Sequence, residues 1–327
     1  MKEKNSYKLL ATTALESTWG SDEELLFLGE WCKKFSRKKF YKNRKYQTID
    51  YHWSDREKLK DDNKYLEVLY EKILIALSIH LNETHSLDKD LRYWRIVIGP
   101  WLISYLSVIW DRWEAISRIE KHHEIELRAI RYKYSRIIPK NHDHHHELIG
   151  SDPWNYSVFN DILDFIELSN FNFIELPEKI NDSFFYYQNS SSTIFFKLKH
   201  LIDKALLMFN KNSYENYFFT KTYFPKRILL QISLKLGFIA GFDTHFDKII
   251  NLKFIDKRLN QTLGNVKPEN KFENFLIKNI LQDIPSSYIE NFDYLRSQKK
   301  NFLNTKIIFT ANAHLNNDLF KIWLAEQ

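Results

Sequence analysis

The sequence predicts a helix-rich α/β fold, and three observations predict it. Glycine is scarce, seven residues in 327, whereas ordinary proteins carry about 7%. Long stretches place apolar residues at three- and four-residue spacing, the period of a helix with one buried face. Two short apolar runs, residues 8–13 and 306–310, instead read as buried strands, each followed by a turn. With 44% hydrophobic and 28% charged residues, the chain has a globular composition rather than a disordered one. Its length suits one large domain or two ordinary ones.

The elements follow in order. Residues 8–13 are the first strand, and Thr12-Thr13-Ala14-Leu15-Glu16 is the turn at its carboxyl end, where ligands collect in open α/β sheets. Residues 22–35 predict a helix, because Asp22-Glu23-Glu24 suits a helix N-terminus. Residues 46–53 are a second extended segment. From Asp62 onward, Tyr65, Leu66, Leu69, Tyr70, Ile73, Leu74, Leu77 and Leu81 mark a strong amphipathic helix. Residues 92–134 are helical in outline, interrupted near Gly99-Pro100 because proline lacks the N–H donor. The highly charged part from Arg112 suits an exposed helix face.

Residues 139–153 read as a polar surface loop. Its His142-Asp143-His144-His145-His146-Glu147 holds metal-ligand side chains, but contiguous ligands cannot all reach one centre, and no metal is expected. Residues 157–168 and 192–210 predict helices. The second carries Phe195, Phe196, Leu198, Ile202, Ala205, Leu206 and Phe209 on a stripe that reads as core. Residues 214–224 are aromatic-rich and suit a cleft lining or a core. Further helices are predicted over 227–239 and 275–284. Residues 306–310 and 316–325 form a strand and a capped helix of the kind that opens a Rossmann-type unit.

Composition narrows the classes. The single cysteine, Cys32, excludes an internal disulfide framework and a multi-cysteine zinc site, and fits a reducing compartment. Met1-Lys2-Glu3-Lys4-Asn5 has no apolar signal core, so the expected location is cytoplasmic. The longest apolar run, 96–110, is shorter than the roughly 20 residues that span a bilayer, and predicts a buried helix. Contact with the inner-membrane surface stays open.

The net charge of +6 is uneven. Lys33, Lys34, Arg37, Lys38, Lys39, Lys42, Arg44 and Lys45 form a run without an acid, interleaved with Phe35, Phe40, Tyr41 and Tyr46. The run suits nucleic acid, anionic lipid, an anionic substrate or simply a solvated face. The chain has no P-loop, Gly-x-Gly-x-x-Gly, Gly-x-Ser-x-Gly or His-Glu-x-x-His. This disfavours P-loop kinases, common dinucleotide oxidoreductases, α/β-hydrolases and zincins.

The densest stretch is Arg92-Tyr93-Trp94-Arg95-Ile96-Val97-Ile98-Gly99-Pro100-Trp101-Leu102, followed by Asp111-Arg112-Trp113-Glu114. An Arg-x-x-Arg pair on one helix face beside aromatic planes suits an anion site. A buried helix with arginines paired to structural acids suits it equally.

Several blocks carry a resemblance. They are Leu10-Ala11-Thr12-Thr13-Ala14-Leu15-Glu16-Ser17-Thr18-Trp19-Gly20, then Leu28-Gly29-Glu30-Trp31-Cys32, then Tyr51-His52-Trp53-Ser54-Asp55-Arg56. The Arg92–Leu102 stretch, Ile308-Phe309-Thr310-Ala311-Asn312-Ala313-His314 and Asp318-Leu319-Phe320-Lys321 follow in order. Together they resemble a family of bacterial transferases associated with O-antigen and other surface-polysaccharide gene clusters. The resemblance implies a GT-B glycosyltransferase architecture, with two Rossmann-like halves facing a cleft. It implies a helix-rich N-terminal, acceptor-side domain over 1–300 and the start of a nucleotide-binding domain over 301–327. The family's Gly-Gln-His-Gly-type continuation does not occur here, so the resemblance implies the front part of a longer enzyme.

The implied partners are a nucleotide-sugar donor as co-substrate and a glycan or lipid-linked acceptor. No separate cofactor is implied, and nucleic acid is not the expected partner. Transfer to a hydroxyl needs a base, for which Glu16 comes first, then His52 and Asp111. Arg92, Arg95 and Arg112 are candidates for phosphate or acidic sugar, and Trp19, Trp94 and Trp101 for stacking on a sugar face. Thr13 lies in the turn after the first strand, and Asn312 and His314 follow the last one, where they would meet the donor. The alternative is a non-enzymatic module that binds nucleic acid or an anionic membrane surface through the basic run.

Overall fold

The first strand forms where the apolar run predicts it, and the remaining chain is assembled around it. The structure, a computed structural model, describes residues 7–119, 126–179, 194–242, 262–264, 266–298 and 305–327. In order the elements are β1 (Tyr7–Ala11), β2 (Leu25–Phe27), the short α1 (Lys38–Tyr41), β3 (Tyr46–Thr48), α2 (Arg56–His85), α3 (Leu91–Ser117) and β4 (Glu126–Lys133). Then come α4 (His142–Ile149), α5 (Asp152–Ile166), β5 (Phe171–Lys179), α6 (Ile194–Phe209), α7 (Lys211–Asn216), β6 (Tyr217–Thr220) and α8 (Lys226–Lys235). The last are α9 (Lys271–Asp283), α10 (Phe292–Gln298), β7 (Ile307–Thr310), α11 (Ala313–Asn316) and α12 (Asp318–Ala325).

Five strands form one parallel sheet in the order β3-β2-β1-β4-β5. That order is Rossmann-like. The chain leaves β1 to build β2 and β3 on one side, then returns to build β4 and β5 on the other. The strand order reverses between β1 and β4, which leaves a crevice at their carboxyl ends. A second parallel pair, β6 with β7, joins residues on both sides of position 300. The 300/301 boundary itself lies outside the described residues.

Helices α2 and α3 form an antiparallel pair. Asp55 caps α2 by accepting from Glu57 N and Lys58 N, and Asp90 caps α3 by accepting from Tyr93 N. Helix α3 runs through Gly99-Pro100 without a break, which corrects the expected interruption. Gly99 is required there by proximity, since a Cβ would stand 2.5 Å from the Tyr70 hydroxyl of α2. Along its length α3 packs on α2, α5, α9 and α12, and its Trp94, Trp101, Tyr105 and Ile109 are buried in the main core.

Other expectations are corrected. Residues 22–35 are not a helix, because Leu25-Leu26-Phe27 is a fully buried central strand. Residues 126–133 are not an exposed helix but β4, with Leu127 and Ala129 inward. Its charges pair locally, Arg128 with Glu126 and Arg131 with Asp164 and Glu175. Strand β5 has no counterpart in the sequence reading. The stripe on α6 is not core: Leu198, Ile202 and Phe209 are exposed, while Phe195 and Phe196 lie outside the described side chains. Among the described residues no helix is long and apolar enough to cross a membrane.

Candidate active site

The turn after β1 is held by side chains from other parts of the sheet edge. The carbonyls of Thr12 and Thr13 accept from the indoles of Trp31 (3.0 Å) and Trp19 (3.1 Å). Ala14 N donates to Asp152 Oδ1 at the start of α5, 3.2 Å away. Cys32 Sγ donates to Ala11 O. Burial pushes the Cys32 thiol up to about 12, so it carries no nucleophilic thiolate at neutral pH. Gly29 is needed because the Trp31 ring folds back over it, 2.1 Å from where a Cβ would be. The first two sequence blocks therefore share one task, fixing the backbone at the carboxyl end of β1.

Glu16 stands on the 3-10 turn that follows, part-exposed, with Arg37 Nη1 2.5 Å from its Oε1. Beside it Lys34 pairs with Asp152. Tyr132 of β4 reaches across the strand boundary to donate to Ser17 O. The mouth of the β1–β4 crevice thus holds two part-exposed carboxylates, Glu16 and Asp152, a guanidinium, an ammonium and the N-terminus of α5.

On the neighbouring side, after β3, His52 Nε2 lies 3.0 Å from Asp111 Oδ1 of α3. A carboxylate only accepts, so Nε2 donates in this bond, and Nδ1 has no hydrogen-bond partner. Arg112 also engages Asp111, and its Nε donates to Asn155 of α5 (2.9 Å). Burial would raise Asp111, but His52, Arg112 and Tyr51 outweigh it and hold the carboxyl below the usual range. His52 is buried at 1% exposure, while Tyr51 reaches solvent. Trp31 bridges the two groups, stacked on Phe159 and edge-on to Tyr51.

His52, Asp62 and Glu114 bring three ligand-type atoms within 4.8 Å. Lys58 Nζ already stands between the carboxylates, 3.0 Å from Asp62 and 2.7 Å from Glu114, so a side chain supplies the neutralising charge there.

Five sequence candidates, Thr13, Glu16, His52, Asp111 and Arg112, therefore share the carboxyl edge of the sheet. The other six do not join them. Trp19 and Trp101 are fully buried core rings and present no face to a sugar. Arg95 forms a two-bond pair with Glu71 on the α2–α3 surface, and Arg92 is exposed. At about 1.5 Å per residue, Arg112 stands about 25 Å along α3 from Arg95, too far to share one anion with it. Asn312, bonded to Tyr223, and exposed His314 lie at the carboxyl end of β7, in the second sheet. Sequence reasoning missed Lys34, Arg37, Tyr51, Asp152 and Asn155. The acid-free basic run was the one available signal for the first two.

The histidine segment is not a surface loop. It is helix α4, capped by Asn141, with His142, His144 and His145 buried. His142 N donates to Asp318 Oδ2, and its Nδ1 lies against Leu315 O. Asp318 also accepts from Ser287 (2.5 Å) and Tyr288 (2.7 Å) and pairs with Lys321 (2.9 Å). Both members of that pair are buried, and Lys321 is at 0% exposure. This knot ties α12, the 3-10 turn at Ser286–Tyr288 and α4 together. Lys321→Met is expected to lower stability by about 3–5 kcal/mol, because it leaves the Asp318 charge buried without its cation. Urea unfolding would check this, and Asp318→Asn combined with Lys321→Met should recover part of the loss.

The fold and site define an α/β protein with a Rossmann-like parallel sheet and a cluster of charged side chains at the carboxyl ends of its strands, beside the switch point. The sequence pattern of the LIC12162 family transferase matches residues 8–327, and the chain belongs to that transferase family. No curated protein and no solved structure matches the chain.

Proposed function

We propose that this transferase moves a sugar from a nucleotide-sugar donor to a hydroxyl of a bacterial surface polysaccharide of O-antigen type. The observation that carries the reading is the β1–β4 crevice, where Glu16 and Arg37 meet beside Lys34 and Asp152. In the proposed step the acceptor oxygen attacks the anomeric carbon and the bond from that carbon to the nucleotide phosphate breaks. Glu16 takes the hydroxyl proton. Developing charge on the leaving phosphate is met by basic groups rather than by a bound metal.

The described sheet is then the acceptor-side half of a GT-B-type enzyme working in the cytoplasm. The strand–helix unit with Asn312 and His314 belongs to the donor side. The buried dyad of His52 and Asp111 supports the wall of the site through Arg112 and Asn155. A non-enzymatic basic module is the weaker reading. Lys33, Lys34, Arg37 and Lys45 already pair with acids, and Arg44 donates to the carbonyls of Trp19, Gly20 and Glu23.

A thermal-shift panel of uridine, guanosine, cytidine and deoxythymidine nucleotides tests this, run on residues 1–327 and on the full-length gene product. At a hundredfold excess over Kd, binding adds about 2.7 kcal/mol, a shift of a few degrees. We expect one nucleotide class to stabilise the full-length protein. If no nucleotide shifts either form, the donor reading fails.

A further inference from the structure

We infer that the connection between β2 and β3 docks this protein on an anionic lipid surface, with Phe35 and Phe40 seated at the interface and Lys38, Lys39 and Lys42 on the headgroups. The inference does not depend on the sugar-transfer reading, because its readout is binding to lipid.

The segment has two sides. Lys34 and Arg37 turn to the crevice and pair with Asp152 and Glu16. Tyr41 and Arg44 anchor it inward, Tyr41 packing on Trp19 and Phe27 and Arg44 capping three backbone carbonyls. What remains points outward. Phe35 is 85% exposed and Phe40 40% exposed, and Lys38, Lys39 and Lys42 are all exposed. Among the described residues none of these three lysines pairs with a carboxylate. Their ammonium groups lie over aromatic rings instead, Lys38 over Phe35 at 5.7 Å and Lys39 over Phe40 at 4.8 Å.

An exposed Phe on a rigidly anchored turn keeps apolar surface in water that burial would remove. Basic groups beside apolar tips are the arrangement that binds the boundary between headgroups and acyl chains. Single-stranded nucleic acid would also meet the charge, but it uses open aromatic faces for stacking. Here the Lys38 and Lys39 ammonium groups stand over the ring faces that a base would use, 5.7 and 4.8 Å from the centroids of Phe35 and Phe40. The lipid surface is therefore the partner that uses both the rings and the charges. Docked this way, the crevice lies beside the membrane plane, since Lys34 and Arg37 belong to the same turn.

Co-sedimentation with vesicles tests the inference. The probes are phosphatidylcholine alone and phosphatidylcholine mixed with phosphatidylglycerol. We expect binding to the mixed vesicles only, weakened by salt. The triple change Lys38→Gln, Lys39→Gln, Lys42→Gln is expected to weaken it on the order of a hundredfold, from the contribution of each lysine near an anionic surface. Phe35→Ser with Phe40→Ser should weaken it as well, with an unchanged melting temperature showing that the fold is intact. Equal binding to both vesicle types, or wild-type binding by the triple variant, would overturn the inference. So would binding to an oligothymidylate with none to vesicles, which would assign the patch to nucleic acid.

Discussion

Glu16→Gln is expected to lower kcat by about 10²- to 10⁴-fold, the usual contribution of a positioned general base. KM for the acceptor should change little, because the change removes a proton acceptor and not a binding contact. The substitution is informative because of what it preserves. Arg37 engages Oε1 of Glu16, and a glutamine carbonyl in the same place still accepts from that guanidinium. The turn Glu16–Trp19 is also fixed independently, by Thr18 N and Oγ1 donating to Leu15 O and by the buried Trp19 ring. Fold and position should therefore survive while basicity is lost. Initial rates for the full-length enzyme with its donor and acceptor would measure the effect. Retention of kcat within about threefold would make Glu16 a structural partner of Arg37 and take the base role from it. Neither His52, at 1% exposure, nor Asp111, whose carboxylate His52, Arg112 and Tyr51 already draw on, is placed to take that role over.

How much of this was legible depended on whether an element's partners are written nearby. Helix α2 was legible because its buried face repeats within its own sequence, at Leu66, Leu69, Ile73, Leu77 and Leu81. Strands β1 and β7 were legible as short apolar runs after polar segments. Strand β2 was not, because a central parallel strand is buried on both faces and shows no alternation. Three acids standing before it imitate a helix start. Strand β4 was hidden for the opposite reason. Its arginines and glutamate look like solvent-exposed helix, yet they pair with one another and with Asp164 and Glu175, which only the folded sheet brings close.

The site followed the same rule. Glu16 was found because a turn after a first strand is a general place for ligands. His52 and Asp111 were found as residue types, without any sign that they touch. Lys34 and Arg37 were visible only as a charge run, because their partners Asp152 and Glu16 lie far off in sequence or across the turn. The tryptophans misled, since a rare residue in a dense block reads as a binding surface. Here Trp19 and Trp31 instead bond the backbone of the β1 turn, and Trp94 donates to Asn82. The blocks that carry the family resemblance therefore shape the crevice more than they line it.

The histidine helix gives the second large effect: stability is expected to fall steeply between about pH 6.5 and pH 4. Burial, reinforced by Lys321, pushes His142 down to about 3. Burial together with the neighbouring imidazoles pushes His145 down to about 3. Burial, with Lys140, brings His144 down to about 4. In the unfolded chain each protonates near about 6.5. Between these limits the unfolded state binds up to three more protons than the native state. Stability is thus fully present above about pH 7 and is lost as the pH falls. Each such histidine contributes a slope of about 1.4 kcal/mol per pH unit, so the three give at most about 4 kcal/mol per unit near pH 5, opposed in part by the raised carboxyls of Asp143 and Glu147 on the same helix. A protein of ordinary stability, about 5–15 kcal/mol, has lost most of it by about pH 4. Urea midpoints from pH 4 to pH 8 would measure the slope. His145→Phe isolates one proton of it, because the His145 ring sits among Trp101, Tyr105 and Trp154 with neither nitrogen bonded to a protein group. A phenyl ring fits those neighbours and cannot titrate. The variant should be at least as stable as the wild type at pH 7 and should lose about a third of the acid slope. An unchanged slope would mean that His145 is protonated in the native state and that the acid sensitivity arises elsewhere.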